Sequence, residues 1–206
     1  MVNITDIKHF EELDSMHNSE YFLDEIFSRQ ADLLEKYRVI EKIPEKLDIH
    51  LTEHQTLLKN LTFRGIEELA EAYEAYLDKN FEHVIEEISD AIHFFTEVLI
   101  LLEVDSSYFL NIPNSDSSKD LNLIDLDKKL WEITYNFSIA CNRLKCKPWK
   151  QTEVLVDVDR FSTKMISAYK NFIETLVKDF NLSHSDILNL YRSKHLVNKF
   201  RIRSNY

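Results

Sequence analysis

Residues 66–94 have the sequence IEELAEAYEAYLDKNFEHVIEEISDAIHF, which contains the motifs Glu68-Leu69-Ala70-Glu71 and Glu87-Ile88-Ser89-Asp90. The stretch has neither glycine nor proline, and it predicts two helices joined by a tight turn near Asn80. Consecutive helices with so short a connection are expected to be antiparallel neighbours. Residues three apart lie on one helix face, so each motif presents two carboxylates together. The two helices would then form a cup of four carboxylates.

A cup of carboxylates is a site that suits a hard cation. Mg²⁺ prefers oxygen ligands and commonly bridges protein carboxylates and substrate phosphates. The two motifs therefore indicate phosphate-ester or phosphate-anhydride chemistry. Acids at this spacing are also frequent on solvated helix surfaces, so spacing alone leaves a structural role open.

The helix predicted before Asn80 has one main apolar face when its residues are placed at about 100° intervals. That face comprises Ile66, Leu69, Ala70, Tyr73, Tyr76 and Leu77. Glu68 and Glu71 lie roughly opposite it, as solvated acids would. Glu68 nevertheless shares its side with the small residues Gly65, Ala72 and Ala75. A stripe of small residues allows another backbone or a ligand to approach closely.

In the helix predicted after Asn80, Glu87 lies on a different side from the other glutamates. Its polar side comprises Glu82, Glu86, Ser89, His93 and Glu97. Glu87 instead points the same way as Ala91, Phe94 and Val98, and Asp90 lies at the boundary. An acid on an apolar face is costly to bury unless it is paired or binds a metal.

The composition of the whole chain favours an all-α, single-domain helical bundle of about six helices, with a four-helix core carrying the metal site. One glycine and three prolines in 206 residues exclude glycine-rich phosphate loops, dinucleotide-binding fingerprints and turn-rich β-sandwiches. Capping boxes are predicted at Thr52 and Ser183. The expected helices cover about residues 19–41, 52–79, 81–103, 123–146, 152–180 and 183–200.

Charge and targeting signals narrow the possible partners. The net charge of −11 argues against stable nucleic-acid binding. Residues 192–203 carry only basic charges, which suits an anion partly neutralised by metal, or simply the end of a last helix. We expect no signal peptide, because the first residues lack a basic segment followed by an apolar one, and no bilayer-spanning helix, because the longest apolar run is too short. Cys141 and Cys146 are expected to be reduced thiols, so we predict a cytoplasmic protein without membrane partners.

The segments around the two acidic motifs resemble the all-α nucleoside triphosphate pyrophosphatases, a superfamily that includes dimeric dUTPases, phage dCTPases and MazG-type enzymes. Residues 63–71 and 86–95 match its E-x-x-E and E-x-x-D signature, and the His93-Phe94 pair is most similar to the dUTPase and dCTPase branch. Residues 29–33 resemble its Gln-x-x-Leu motif. Residues 191–201, with the final Tyr206, resemble its basic C-terminal motif.

The resemblance implies a function, a cofactor and a set of site residues. It implies Mg²⁺-dependent hydrolysis of a deoxynucleoside triphosphate to a monophosphate and pyrophosphate, with pyrimidines preferred, by a homodimer. It implies one domain over residues 1–206, with an N-terminal extension at 1–18 and a phosphate-binding tail at 201–206. The implied residues are Glu68, Glu71, Glu87 and Asp90 for metal, with Glu68 or Glu71 as the catalytic base; Lys194, Arg201 and Tyr206 for the triphosphate; and Gln30, His93 and Asn198 for the base and sugar.

The chain also departs from the family pattern. Leu34 stands where the family's dUTPases usually have asparagine, a residue of base recognition, so uracil specificity stays open. Ile202 and Asn205 replace a glutamine and a glycine in the tail. Two alternatives therefore remain: a helical scaffold of the same fold that has lost catalysis, and a MazG-type pyrophosphatase of broad specificity.

Overall fold

Long runs without proline, in which Gly65 is the single glycine, form six α-helices in the computed structural model of the protein, which describes residues 21–115, 120–145 and 156–204. These parts of the chain also contain one short 3-10 helix, Ser106–Phe109, and no strand. The all-α class is thereby confirmed. The helices are α1 (Phe22–Glu41), α2 (Thr52–Leu77), α3 (Phe81–Leu101), α4 (Leu126–Cys141), α5 (Val158–Lys178) and α6 (His184–Arg203).

Two helical hairpins make the four-helix core of this single compact domain. Helices α2 and α3 form one hairpin and α4 and α5 form the other, with α2 contacting α4 and α3 contacting α5. Helices α1 and α6 pack on each other and on α3. Helix α3 thus contacts four other helices, and its buried residues reach nearly around its circumference.

The turn between α2 and α3 sets the register of the two acidic motifs. Lys79 adopts a left-handed conformation with φ of 59°, and the Asn80 side chain caps α3 by accepting a hydrogen bond from the His83 N–H. Glu71 and Glu87 are equally far from Lys79 along the chain, and Glu68 and Asp90 are as well. Antiparallel packing therefore brings the two motifs to the same height.

The apolar face predicted for α2 was wrong for three of its members. Ala70, Tyr73 and Leu77 are exposed, whereas the side that carries Gly65 is buried. A Cβ atom added at Gly65 would lie 2.5 Å from the ring of Phe95 on α3. Helix α3 therefore packs on the stripe of small residues, because only there can the two backbones come so close.

The polar side predicted for α3 is also largely buried. Ser89, His93 and Glu97 are covered, because α1 and α6 supply polar partners for this side. The Ser89 hydroxyl donates to the Leu190 carbonyl of α6, and the Gln30 amide of α1 donates to Glu97. Only the acids of the first turns, such as Glu86, remain exposed.

The starts of α6 and α2 agree in part with the capping boxes predicted from the sequence. The capping box at Ser183 is present, with reciprocal hydrogen bonds to Asp186. The one predicted at Thr52 was wrong, because Leu51 precedes α2 without a side-chain cap and the Gln55 amide donates to the Ile49 carbonyl.

No helix in the described ranges is long and apolar enough to cross a membrane.

Substitution of Gly65 by alanine tests the close contact between α2 and α3. Alanine improves helix propensity by about 1 kcal/mol. The added methyl would press on Phe95, whose ring stacks on Phe137 and meets Phe172 edge to face, and overpacking costs about 1–3 kcal/mol. We expect Gly65→Ala to lower the free energy of unfolding, by up to about 2 kcal/mol, in urea titrations.

Phe95→Leu provides the control, alone and combined with Gly65→Ala. Because the smaller side chain makes room for the methyl, the double variant should lose less stability than the sum of the single losses. Additive losses, or a more stable Gly65→Ala protein, would show that the contact is not tight.

Candidate active site

Three carboxylates of the acidic motifs lie together between α2 and α3. One carboxylate oxygen from each of Glu68, Glu71 and Glu87 lies within 4.8 Å of the others. Glu87 is buried, Glu68 is partly buried and Glu71 is exposed. The cluster is therefore open to solvent on the side of Glu71.

Asp90, the fourth predicted ligand, lies outside this group of three. Its carboxylate forms an ion pair with Lys194 of α6 at 2.5 Å, and Lys194 also contacts Glu86 at 3.4 Å. Burial opposes the charge on Lys194, but the hydrogen bond to Asp90 and the charges of Asp90 and Glu86 outweigh it and raise the pKa of Lys194. A cation of the protein thus balances part of the acidic site.

The proximity of the carboxylates changes their protonation. Burial, a hydrogen bond with Glu87 and the charges of Asp90, Glu87 and Glu71 together raise the pKa of Glu68 to about 8. Burial also raises the pKa of Asp90, although Lys194 opposes this shift. A proton at Glu68 therefore relieves repulsion at neutral pH.

This donor set fits a magnesium ion. Carboxylate oxygens are the ligands that Mg²⁺ prefers, and a divalent cation would relieve the repulsion that the proton now relieves. The open edge at Glu71 leaves room for water or phosphate oxygens. Glu87 is held in place by the His83 imidazole, 3.1 Å away.

A polar pocket of about 190 Å³ adjoins the cluster and is enclosed by α1, α2, α3 and α6. It is lined by Gln30, Leu33, Tyr37, Glu41, Arg64, Glu68, Asp90, His93, Phe94, Glu97, Asn198 and Arg201. The predicted site residues among them are Gln30, Glu68, Asp90, His93, Asn198 and Arg201. Lys194 is not among the lining residues but pairs with Asp90, which is, and Tyr206 lies outside the described residues.

Buried hydrogen bonds fix the inner wall of the pocket. The Tyr191 hydroxyl donates to the side-chain amide oxygen Oε1 of Gln30 at 2.9 Å, and the Gln30 side-chain NH₂ donates to Glu97 at 3.2 Å. The His93 ring stacks on Tyr191, with ring centroids 4.2 Å apart. Its Nδ1 lies 2.9 Å from the Ser89 carbonyl and therefore carries the ring proton. Burial lowers the pKa of His93 to about 4, so the ring is neutral.

Sequence patterns missed three charged residues of the pocket, Glu41, Arg64 and Glu97. Glu97 belongs to the polar side predicted for α3, yet it is buried, and this burial raises its pKa to about 7. Arg64 lies within the quoted motif but carried no assigned role; its guanidinium pairs with Glu41 at 2.9 Å at the pocket edge. The signal for Glu97 was its position one helical turn beyond His93.

The basic tail divides into structural and pocket residues. Arg192 forms two hydrogen bonds with the buried Glu25 of α1, so it joins α6 to α1. Arg201 lines the pocket from the last turn of α6.

Leu34, which stands where the family's dUTPases usually have asparagine, is buried in the core, and its neighbour Leu33 lines the pocket.

These observations define an all-helical protein with an acidic cluster beside a polar pocket that basic residues border. The model for the dUTPase family matches residues 13–206, and the chain belongs to this family. Its general function is accordingly that of a dUTPase-like nucleotide pyrophosphatase, a class that generally uses a divalent metal. Neither the curated proteins nor the solved structures compared with the chain gave a match.

The raised pKa of Glu68 gives a testable dependence of stability on pH. Between its ordinary pKa of 4.5 and about 8, the folded protein holds a proton that the unfolded chain has lost. Stability therefore falls as pH rises through this interval, in the absence of divalent metal. We expect the melting temperature of Glu68→Gln to fall less than that of the parent protein between pH 5 and pH 8. Parallel curves would contradict the shift.

Added Mg²⁺ serves as the second arm of this experiment. A cation that binds the cluster must displace the proton, so its stabilising effect should grow from pH 5 to pH 8. The buried Glu97 also has a raised pKa and remains in both proteins, so the difference between them isolates Glu68.

Proposed function

We propose that the protein is a Mg²⁺-dependent deoxynucleoside triphosphate pyrophosphatase that cleaves between the α- and β-phosphates and prefers pyrimidines. The observation that carries the proposal is the carboxylate cluster opening onto a pocket that Arg64 and Arg201 also line. Acids alone would repel a triphosphate. Acids that hold a cation, next to fixed basic side chains, would attract one.

The acidic residues have distinct proposed tasks. Glu68, Glu71 and Glu87 would hold the metal, joined by Asp90 at the pocket side. Bound Mg²⁺ neutralises phosphate charge and lowers the pKa of a coordinated water. Glu68 lines the pocket and Glu71 lies at the exposed edge of the cluster, so each is positioned to take a proton from an attacking water.

The basic residues would stabilise the leaving pyrophosphate. Arg201 is suited to forked contacts with phosphate oxygens, whereas Lys194 acts as a point charge at the acidic edge. Lys194 is partly buried and held between two carboxylates, which keeps its ammonium group next to the proposed metal ligands. Tyr206 remains a proposed phosphate ligand. Gln30, His93 and Asn198 would surround the base and sugar.

Product analysis tests this activity. A panel of deoxynucleoside and ribonucleoside triphosphates with Mg²⁺ should yield monophosphate and pyrophosphate, fastest with a pyrimidine deoxynucleotide. Glu68→Gln and Asp90→Asn should each reduce kcat at least about 100-fold, because each removes charge from the proposed metal site. Glu67→Gln, at an exposed acid beside Glu68, should retain parental activity.

Each competing function has its own outcome in that panel. Orthophosphate as the sole product would contradict cleavage between the α- and β-phosphates. Similar rates on purine and pyrimidine, ribose and deoxyribose substrates would indicate the MazG-type enzyme. No product, together with no change in melting temperature on adding nucleotide and Mg²⁺, would indicate the scaffold that has lost catalysis.

An exposed apolar groove supports the homodimer that the family resemblance implies. Ile66, Ala70 and Tyr73 of α2 face Trp131 of α4 across it, and Trp131 is 69% exposed. Aromatic contacts continue from Tyr73 through neighbouring rings to the start of α3. Whole aromatic side chains bury about 150–250 Å². This surface could thus supply roughly half of the ~800 Å² that each partner contributes to a standard interface.

A charge in this groove should separate the two copies. We expect the parent protein to elute as a dimer in size-exclusion chromatography with light scattering, and Trp131→Glu to elute as a monomer, because the interface would bury an unpaired carboxylate. Val39→Glu, at an 85% exposed apolar residue of α1, is the matched control and should stay dimeric. A monomeric parent protein at micromolar concentration would refute the dimer.

A further inference from the structure

Two hydrogen-bond acceptors lie one turn apart on the α3 wall of the pocket. His93 carries its proton on Nδ1, so Nε2 is an acceptor, and it is buried with no partner among the described residues. The Glu97 carboxyl is also buried in this wall. A buried acceptor without a donor is costly, so the wall is complementary to a ligand that carries N–H or O–H groups.

Gln30 places one donor beside these acceptors. The Tyr191 hydroxyl fixes the amide orientation by donating to its oxygen, which leaves the NH₂ group on the pocket side. One of its two hydrogens goes to Glu97. The other is available to a ligand, so the wall offers two acceptors with a donor beside them.

We propose that Glu97, together with His93 and Gln30, is a specificity-determining residue that selects cytosine over uracil. The inference rests on the proposed function, because it concerns the base of the same substrate. The ligand class is a pyrimidine deoxynucleotide with an exocyclic amino group.

The hydrogen-bonding edges of cytosine and uracil carry donors and acceptors in opposite positions. Cytosine presents an amino group with two N–H donors next to the N3 acceptor, whereas uracil presents an O4 acceptor next to an N3–H donor. In the proposed pose the amino hydrogens bond to His93 Nε2 and Glu97 while Gln30 donates to N3, and in the same pose uracil loses these bonds. Uracil would set O4 against the acceptors and N3–H against the amide donor.

The protonation of Glu97 does not remove this preference. An ionised Glu97 accepts from the cytosine amino group, and the carbonyl oxygen of a neutral Glu97 can accept from it as well. His93 Nε2 stays an acceptor in either case, and it repels O4 of uracil. A site that leaves buried polar groups unpaired rejects the wrong ligand strongly.

Turnover and binding by the full chain test the proposal. With Mg²⁺, we expect kcat/KM for dCTP to exceed that for dUTP at least tenfold. Calorimetry with dCMP and dUMP, without metal, should show a preference of the same direction. The triphosphate of 2-pyrimidinone deoxyriboside lacks the amino group without added bulk, and it should lose the advantage of dCTP.

Glu97→Gln adds a donor at the same position with little change of shape. It should reduce the dCTP to dUTP ratio of kcat/KM at least tenfold, chiefly by improving dUTP. Glu82→Gln, at an exposed acid of the same helix, is the matched control and should keep the parental ratio.

The outcomes separate this inference from the proposed function. Hydrolysis of dUTP as fast as dCTP, with a ratio that Glu97→Gln leaves unchanged, would refute the inference while the pyrophosphatase stands. No pyrophosphate from any deoxynucleotide would refute the proposed function itself. If Glu97→Gln fails to fold, equal turnover of dCTP and the 2-pyrimidinone analogue by the parent protein would still refute the inference.

Discussion

The close approach of α2 and α3 at Gly65 is the constraint on which the rest of the structure depends. A Cβ atom at this position would collide with the Phe95 ring, which is itself stacked on Phe137 of α4. The contact therefore fixes the α2–α3 hairpin and connects it to the second hairpin of the core. It also brings Glu68 and Glu87 together, because the two motifs are related by the turn at Lys79. A wider helix spacing would separate the carboxylates.

Bringing these acids together works against folding, and other parts of the bundle offset the repulsion. Lys194 of α6 pairs with Asp90, and His83 contacts Glu87. The site is thus stabilised by ion pairs at its edge together with the packing that surrounds it. Such an arrangement is expected of a functional site, where charge required for binding is retained at a cost in stability. Helix α6 supplies Lys194 to the site, and Arg192 of the same helix anchors it to the buried Glu25 of α1.

The scarcity of glycine and proline predicted the fold class, and turn and capping patterns predicted the positions of the helices and the pairing of the acidic motifs. Helical periodicity did not predict which sides are buried. Periodicity identifies residues that share a side, whereas packing partners decide whether that side is covered. On α2 the small side around Gly65 is buried because α3 comes close, while Tyr73 stays exposed. On α3 the polar residues His93 and Glu97 are buried because α1 and α6 bring matching polar groups. Those partners are distant in sequence, so no local pattern reports them.

A single stripe along α3 connects the two halves of the proposed site. Asp90, His93 and Glu97 follow one another at intervals of three or four residues, so they lie on one side of the helix, and Glu87 lies at the edge of this stripe. At 1.5 Å per residue, the stripe is about 15 Å long, which is comparable to an extended nucleoside triphosphate. Its N-terminal end belongs to the carboxylate cluster and its C-terminal end to the buried wall of acceptors. One rigid helix therefore sets the distance between the proposed metal and base sites, so phosphate chemistry and base selection are coupled through a fixed spacing.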